Sequence, residues 1–311
     1  MTAGREGGAV DGAVLGGLLV IDKPAGWTSH DVVARVRRLA GRRRCGHAGT
    51  LDPLATGVLP LGLGSGTRML EYLGDADKAY RATIRLGRTT DTDDADGLTL
   101  EERPWGGVTT GAIADAIAAF LGEIDQTPPI YSAIKRDGVP LHRLARAGAA
   151  VQVAPRRVRI DRIDVLDITP PHVTIEVACS KGTYIRSLAR DLGATLGCGA
   201  HLAALRRLRH GPFTEADVHT LEAVAAAVAE GRLAGLLLPL DLPLATAPAI
   251  TVDERAARLL LTGRIVPCSA VEPEGRLGRA YDSSGRFLAV VRATAGAWAP
   301  VKVFARPEPA A

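Results

Sequence analysis

Two segments of the chain place an apolar side chain at every second position, and this alternation constrains the fold more than any other feature. The segments are residues 80–86 and 173–179. A period of two is typical of a strand that is buried on one face, as in an antiparallel sheet. Residues 31–40, 113–121 and 183–197 instead carry apolar residues at the spacing of helices. The sequence therefore predicts an α+β fold with an antiparallel sheet.

Residues 46–66 are rich in glycine and proline, yet unusually apolar for a solvated loop. We therefore expect a tightly turned loop that packs into the structure rather than a regular element. Asp52, within this loop, is the only acidic residue between Asp31 and Glu71, and arginines precede it. A carboxylate beside cations has a lowered pKa and suits a nucleophile or an electrostatic stabiliser. An Asx-turn before Pro53 explains the same aspartate equally well.

Tyr80 is open to two interpretations. It begins the apolar face of its strand, so a position in the core is the default expectation. A tyrosine at the end of a strand that faces a cleft can instead stack on a nucleic-acid base.

The motifs that suggest a cofactor or a metal are incomplete. Residues 62–66 are glycine-rich but lack the ending of a phosphate-binding loop. Residues 91–97 resemble a calcium loop, but ligands are missing at both ends, and a solvated acidic loop is the better interpretation. Residues 198–201 supply half of a zinc site without a second pair of ligands. We expect neither cofactor nor metal.

Basic residues are segregated along the chain, although the net charge is only +4. Six arginines and no acidic residue lie between Asp31 and Asp52, and residues 135–162 and 181–209 are also strongly basic. Such segregation suits a polyanion such as nucleic acid. Because only five of the 38 basic residues are lysine, a general preference for arginine on a solvated surface explains the charge equally well.

Length and composition set the expected domains. The 311 residues suffice for one large and one small domain. We expect a disordered lead over residues 1–16, a main domain over 17–240 and a small, mostly β domain over 245–306. The proline-broken residues 238–248 predict a linker, and residues 251–254 have the pattern of a capping box that opens a helix.

Targeting signals are missing from the sequence. No apolar stretch approaches the ~20 residues of a membrane helix, and the N-terminus lacks the layout of a signal peptide. We therefore expect a cytoplasmic protein that does not bind a membrane.

Four segments, in order, resemble the bacterial TruB tRNA pseudouridine synthases. They are residues 17–29 (GLLVIDKPAGWTS), 46–60 (GHAGTLDPLATGVLP), 77–97 (DKAY followed by GRTTDTDDADG) and 179–193 (CSKGTYIRSLARDLG). The resemblance implies the pseudouridine-synthase fold, a mixed, largely antiparallel central sheet with flanking helices and loops. It also implies isomerisation of uridine 55, in tRNA numbering, in the TΨC arm. The chain from about residue 245 resembles a PUA-like RNA-binding module.

The resemblance also implies roles for individual residues. Asp52 matches the catalytic aspartate, Tyr80 the tyrosine that stacks on the target base, and Arg186 the arginine that pairs with the aspartate. His47 matches a histidine that helps to hold the flipped RNA loop, and Leu205 an apolar residue of the pocket wall. Whether the aspartate attacks C1′ or removes the C2′ proton stays open.

The same resemblance predicts a function for the basic residues after residue 124. Residues 124–155 resemble the RNA-clamping thumb of the family, and we expect Lys135 and Arg143 within it to bind RNA. Arg68 lies where some members carry lysine, and we expect it to contact the substrate as well. The implied partner is tRNA alone, bound by a monomer without guide RNA.

Three alternatives remain at this point. A guide-dependent synthase of the dyskerin type shares the Gly-Thr-Leu-Asp-Pro core, although the thumb argues against it. An RNA chaperone that remodels tRNA is compatible with retained catalysis. A glycosidase requires two acidic catalytic groups, and the motif around Asp52 offers one.

Overall fold

The structure is a computed structural model that describes residues 16–41, 44–132, 135–136, 139–140, 153–268 and 272–305. The lead that we predict to be disordered lies outside the described residues, except for Gly16. Arg143 and the surrounding residues 141–152 of the predicted thumb also lie outside them.

The larger part of the chain forms strands β1 to β14. They are β1 (Gly17–Lys23), β2 (Cys45–His47), β3 (Thr56–Leu63), β4 (Lys78–Leu86), β5 (Arg88–Thr90), β6 (Thr99–Glu102), β7 (Gly122–Gln126), β8 (Lys135–Arg136), β9 (Val139–Pro140), β10 (Arg156–Thr169), β11 (His172–Cys179), β12 (Ala200–His210), β13 (Phe213–Thr214) and β14 (Val218–His219). The two alternating segments are β4 and β11, which pair with each other in antiparallel register.

One large sheet contains most of these strands, in the order β14-β1-β3-β12-β4-β11-β10-β7. β2 pairs in addition with β3, and β13 with β12. The pairs β1/β14 and β3/β12 are parallel, and the others in this sheet are antiparallel. β5/β6 and β8/β9 form separate hairpins. This topology confirms the mixed, largely antiparallel central sheet.

The α-helices within the described residues are α1 (Ser29–Leu39), α2 (Thr110–Ala118), α3 (Ile185–Thr195), α4 (Leu221–Ala229) and α5 (Glu254–Leu261). α1 to α3 confirm the helices predicted from periodicity. Thr28 caps α1 in a capping box with Asp31, which satisfies orphan amides of the first turn. None of the helices among the described residues is long and apolar enough to cross a membrane.

β3 lies inside residues 46–66, so the prediction of an irregular loop there is wrong for half of the segment. The strand is buried from Gly57 to Leu63, and its glycines are required by close neighbours rather than by a turn. Gly57 has φ +96°, and a Cβ at this position would lie 2.3 Å from the backbone oxygen of Arg207 in β12. The parallel pairing of β3 with β12 therefore needs a residue without a side chain.

We expect Gly57→Ala to lower the free energy of unfolding by about 3 kcal/mol, because it adds a backbone clash to an unfavourable φ. Gly231→Ala is the matched control, since Gly231 also has a positive φ but nothing within 4 Å of a Cβ. That variant should lose about 1 kcal/mol. Urea unfolding measures both values, and equal losses would contradict the role assigned to the β3–β12 contact.

The C-terminal part of the chain forms a separate five-stranded sheet. Its strands are β15 (Ala249–Thr251), β16 (Val266–Pro267), β17 (Leu277–Tyr281), β18 (Phe287–Thr294) and β19 (Ala297–Val303), in the order β15-β17-β18-β19-β16. α5 packs onto this sheet around Leu260 and Trp298. The small, mostly β domain is confirmed. The predicted capping box at residues 251–254 is wrong, because the side chain of Asp253 caps α5.

A shared apolar cluster joins the two sheets. It contains Met69 and Phe213 from the large part and Val290 from β18, with Phe304 packed against it. Polar bonds surround the cluster, such as that from Lys302 Nζ to the backbone oxygen of Arg68 at 2.6 Å. The C-terminal sheet therefore packs directly on the elements that follow β3.

Candidate active site

Asp52 lies in the short connection between β2 and β3, and several bonds fix this connection. Ser29 Oγ accepts a hydrogen bond from Leu51 N at 2.9 Å, and Gly26 N donates to the backbone oxygen of Pro53 at 2.8 Å. The backbone oxygen of Asp52 accepts from Ala55 N at 3.1 Å, which closes the turn. The backbone thus forms the turn that an Asx interpretation ascribes to the side chain, and the carboxylate is directed elsewhere.

The carboxylate of Asp52 forms a two-point ion pair with Arg186. Arg186 Nε lies 3.0 Å from Asp52 Oδ2, and Nη2 donates to Oδ1 at 3.1 Å. Such paired bonds fix geometry as well as charge. The side chain of Arg186 is only 5 % exposed, whereas that of Asp52 is 37 % exposed. The cation therefore lies behind the carboxylate and leaves its front open.

Arg186, in the first turn of α3, is itself held by backbone oxygens. Nη1 donates to Thr92 at 3.0 Å and Nη2 donates to Tyr131 at 2.9 Å. These bonds fix the plane of the guanidinium in the orientation that meets the carboxylate. The three contacts join segments that are distant in sequence at one point beside the sheet.

Asp94 is a second acidic residue of the site that the sequence interpretation missed. It is 5 % exposed, and its Oδ2 lies 3.7 Å from Arg186 Nε. The neighbouring Asp93 pairs with Arg190, one turn further along α3, at 3.0 Å. The prediction of a solvated acidic loop is therefore wrong for these two residues. The i,i+4 spacing of the two arginines was the available signal, since such residues share a helix face.

The environment raises the pKa of Asp52 rather than lowering it. Burial raises the pKa of this carboxyl, the Asp94 carboxylate adds to the rise, and the Arg186 guanidinium opposes it. The carboxyl keeps an open front but protein encloses it on its other sides, and the lost hydration outweighs the adjacent cation. The expectation of a lowered pKa is therefore wrong, and Arg186 is the main group that favours the ionised form.

A pH dependence follows from this shift. If Asp52 acts as an anion, the rate of its reaction falls as the pH drops through a pKa above the ordinary value for aspartate. We expect a single-turnover rate, measured with saturating substrate, to decline on the acid side at a higher pH than an unperturbed aspartate gives. A rate that stays constant down to about pH 4, near the ordinary aspartate pKa, would contradict the raised pKa.

Tyr80 lies on β4 directly opposite Arg207 of β12. It is 7 % exposed and packs in the main core cluster with Leu51 and Leu205. Burial raises the pKa of Tyr80 to about 12, so the phenol is neutral at physiological pH. Leu205 is 8 % exposed on the same face of the sheet. The ring thus belongs to the core at one edge and borders the Asp52 connection at the other.

Arg207 is fully buried beside Tyr80, which is rare for arginine. Its Nε donates to the backbone oxygen of Val58 at 2.7 Å, while Nη1 and Nη2 have no hydrogen-bond partner among the residues that the structure describes. Burial lowers the pKa of Arg207, and interaction with Tyr80 opposes this. The sequence interpretation did not single out this cation.

Lys23, at the end of β1, is a further buried cation under the Asp52 connection. Its Nζ donates to the backbone oxygens of Pro24, Trp27 and Pro53 at 2.8, 2.6 and 3.2 Å. Burial lowers its pKa to about 8, and the Asp52 carboxylate opposes this shift. Lys23 thereby ties the segment before α1 to the connection that carries Asp52.

His47 ends β2 on the approach to Asp52. Its ring meets the ring of His30 edge-on, with centroids 5.2 Å apart. Burial lowers the pKa of His47 to about 4, so the imidazole is neutral at physiological pH. Its Nδ1 is buried and has no hydrogen-bond partner within the described ranges.

The other predicted substrate contacts are not part of this group. Arg68 donates from Nη1 to the backbone oxygen of Val303 at 2.7 Å and lies over the ring of Phe304. It therefore joins the two sheets. Lys135 lies in β8, but the position of its side chain is outside what the structure describes, as is the whole of Arg143. A role in RNA binding stays a prediction for all three.

The described residues contain no group of three or more His, Cys, Asp or Glu side chains that could hold a metal ion. Cys198 Sγ donates to the backbone oxygen of Gly199 at 3.4 Å, and His201 Nδ1 lies 3.0 Å from that of Arg88. The suspected half-site for zinc is therefore bonded to the backbone.

Family models match nearly the whole of the larger part of the chain. Residues 37–185 match the TruB family pseudouridylate synthase N-terminal domain, and residues 186–245 match the tRNA pseudouridylate synthase B C-terminal domain. The chain is 48 % identical over 273 residues to the tRNA pseudouridine synthase B of Ralstonia nicotianae, covering 86 % of each chain. It is 46 % identical to that of Thermobifida fusca, covering 93 % of this chain and 98 % of the other.

Solved structures resemble the whole fold. One, of an H/ACA ribonucleoprotein bound to a substrate RNA containing 2′-deoxyuridine, superposes with a TM-score of 0.72 at 26 % identity and covers 93 % of this chain and 85 % of the other. A Cbf5–Nop10–Gar1 complex gives the same score at 28 % identity, with the same coverage.

Fold, site and matches together define the class of this protein, the pseudouridine synthases, which are isomerases. Within that class the chain belongs to the TruB family. The predicted family and the predicted fold class are confirmed.

Proposed function

We propose that this protein converts uridine 55 in the TΨC arm of tRNA into pseudouridine. The observation that carries the proposal is the Asp52–Arg186 pair, a half-open carboxylate backed by a buried cation. The protein would act as a monomer in the cytoplasm, where its substrate is, without guide RNA or cofactor. Names of relatives that are 46–49 % identical support tRNA as the substrate.

The formation of pseudouridine requires one ionised carboxylate. The N1–C1′ bond breaks, the uracil turns, and a C5–C1′ bond forms, while a proton leaves C5 and N1 gains one. Asp52 would start this sequence either by attacking C1′ or by removing the C2′ proton. Arg186 would hold the carboxylate ionised and aimed at the ribose, because it opposes the effect of burial on the pKa of Asp52.

The detached uracil has to stay in a dry pocket, since water would hydrolyse the intermediate. We assign this task to Tyr80, as a neutral ring that stacks on the base, and to Leu205 as part of the apolar wall. The target nucleotide must also leave its stack, at a cost of a few kcal/mol. The neutral ring of His47, on the approach to Asp52, is suited to fill the space that the flipped nucleotide leaves.

The remaining contacts would come from outside this centre. We assign residues 17–240 to the catalytic domain, residues 124–155 to an RNA-clamping thumb with Lys135 and Arg143, and residues 245–306 to a PUA-like RNA-binding domain. Arg68, between the two sheets, would contact the RNA with the guanidinium edge that its bond to Val303 leaves free.

The decisive experiment incubates purified protein with an unmodified tRNA transcript, without guide RNA or added metal. Carbodiimide treatment and primer extension then locate any pseudouridine. We expect product at position 55 with the native protein and none with Asp52→Asn. Product at another position would refute the site assignment, and binding without product would refute stand-alone catalysis.

A guide-dependent synthase is the second candidate, because the solved structure with a TM-score of 0.72 belongs to an H/ACA ribonucleoprotein. The same assay separates the two. If the transcript is modified only after a guide RNA is added, the guide-dependent function is correct and the first proposal is wrong.

A further inference from the structure

A groove between α1 and α4, about 800 Å³ in volume, is lined in part by Gly26, whose backbone N donates to the backbone oxygen of Pro53 in the connection that carries Asp52. Its lining includes Trp27, Arg35 and Arg38 on one side and Leu221 and Glu222 on the other. This volume is within the range of sites that hold small ligands. Trp27 is one of the few large apolar side chains with substantial exposure, at 37 %.

A second cavity adjoins the groove at the start of α4. This smaller cavity, of about 290 Å³, shares Leu221 and Glu222 with the groove and is lined further by Lys23 and Thr56. Lys23 Nζ donates to the backbone oxygens of both Trp27 and Pro53. A ligand in the groove therefore touches the same segment that holds Asp52 in place.

The two arginines of the groove are Arg35 and Arg38, which lie three residues apart and share one face of α1. Neither guanidinium group has an ion pair or hydrogen bond to another described residue. Many other arginines differ in this respect, such as Arg103 with Glu101 and Arg232 with Glu230. Unpaired arginines beside an exposed ring are suited to a phosphate and a base.

Two carboxylates, Asp31 and Glu222, also line the groove, but neither forms an ion pair with Arg35 or Arg38 among the described residues. Asp31, four residues before Arg35, is the natural ion-pair partner, but its carboxylate accepts from Thr28 N at 3.0 Å and from Thr28 Oγ1 at 2.6 Å in the cap of α1. Glu222 lies in the first turn of α4, where the helix dipole favours its charge. Its carboxylate is an acceptor for an amino group or a ribose hydroxyl.

We propose that this groove binds a second nucleotide of the substrate RNA, with its base on Trp27 and its phosphate between Arg35 and Arg38. The inference rests on the proposed function, because the occupant belongs to the RNA that Asp52 modifies. The groove would hold the strand beside the flipped nucleotide and so contribute to affinity rather than to the chemical step.

The first test removes the two charges. We expect Arg35→Gln/Arg38→Gln to weaken tRNA binding about tenfold. The slope of log K against log salt concentration should become shallower by about 0.9, the contribution of one phosphate contact. The single-turnover rate at saturating tRNA should stay native. Arg103→Gln/Arg232→Gln removes the same charge from ion-paired surface sites and is the control. Equal losses in both double variants, or none in the first, would overturn the proposal.

The second test monitors Trp27 through its fluorescence. tRNA binding should quench the tryptophan emission of the native protein, and this quenching should be lost in Trp27→Phe but retained in Trp105→Phe. Quenching that persists undiminished in Trp27→Phe would overturn the placement of a base on Trp27. Thermal unfolding of each variant shows that it is folded.

These readouts separate the inference from the function on which it rests. One outcome is that the native protein forms no pseudouridine while the Arg35→Gln/Arg38→Gln variant binds tRNA more weakly than the native protein does. In that case the isomerase proposal fails and RNA binding in the groove is confirmed. If pseudouridine forms and every groove variant binds like the native protein, the groove proposal alone fails.

Discussion

Asp52→Asn should abolish pseudouridine formation, lowering kcat by roughly 10⁴-fold or more, while the Kd for tRNA changes less than about threefold. The amide keeps the shape of the carboxylate, and its oxygen can still accept from Arg186 Nη2. It carries no charge, however, and neither attack at C1′ nor removal of the C2′ proton is open to it. Single-turnover rates and filter binding measure the two quantities separately.

Asp96→Asn provides the matched control, because it removes one negative charge from the acidic loop near the site. Asp96 is exposed, and its backbone N donates to Asp94 Oδ1. No bond joins its side chain to Arg186 among the described residues. We expect native turnover from this variant. If Asp52→Asn retained a tenth of the native rate, Asp52 would not be the group that starts the reaction, and catalysis would have to be assigned elsewhere.

The sequence predicted those elements whose two faces meet different surroundings. β4 and β11 alternate because one face packs on the core and the other reaches polar surroundings, and α1 shows its buried face through Val32 and Val36. β3 has no such contrast. It is buried on both faces, and it carries glycines because neighbouring atoms leave no room for a side chain. Its sequence therefore lacks the alternation of a half-buried strand and resembles a loop.

β12 was missed for a different reason. Its arginines at 206, 207 and 209 predict a solvent-exposed segment. Arg207 is nevertheless fully buried, and Arg206 pairs with Asp22 and Glu215. Average residue preferences predict exposure for each of them. Only the partners that folding brings together show why these cations belong in a strand.

The residues of the site likewise differ in how far the sequence alone predicts them. Local sequence left Asp52 and Tyr80 open between structural and catalytic roles, and resemblance to a family supplied the partner, Arg186, 134 residues away. The resemblance assigned no role to Asp94, and a run of aspartates has the composition of a solvated loop. Its burial against α3 is a tertiary contact, and the rise in the pKa of Asp52 depends partly on it.

Arg186→Gln should lower kcat about 10³-fold, with a change in tRNA affinity of less than about threefold, because a preorganised charge at a reacting group has effects of this size. The variant also tests the electrostatics. Arg186 opposes the rise in the pKa of Asp52, so its removal should move the acid limb of the residual rate to higher pH. A purely structural role would lower the rate without moving that limb.

Arg190→Gln separates these effects from damage to α3. Arg190 lies one turn further along the same helix and pairs with Asp93 and Asp191, but no bond joins it to Asp52 among the described residues. Its loss should lower thermal stability by an amount similar to that of Arg186→Gln or less, while the acid limb stays in place. If tRNA affinity collapsed in Arg186→Gln and turnover at saturation survived, Arg186 would be a phosphate contact, and the ionised state of Asp52 would need another source.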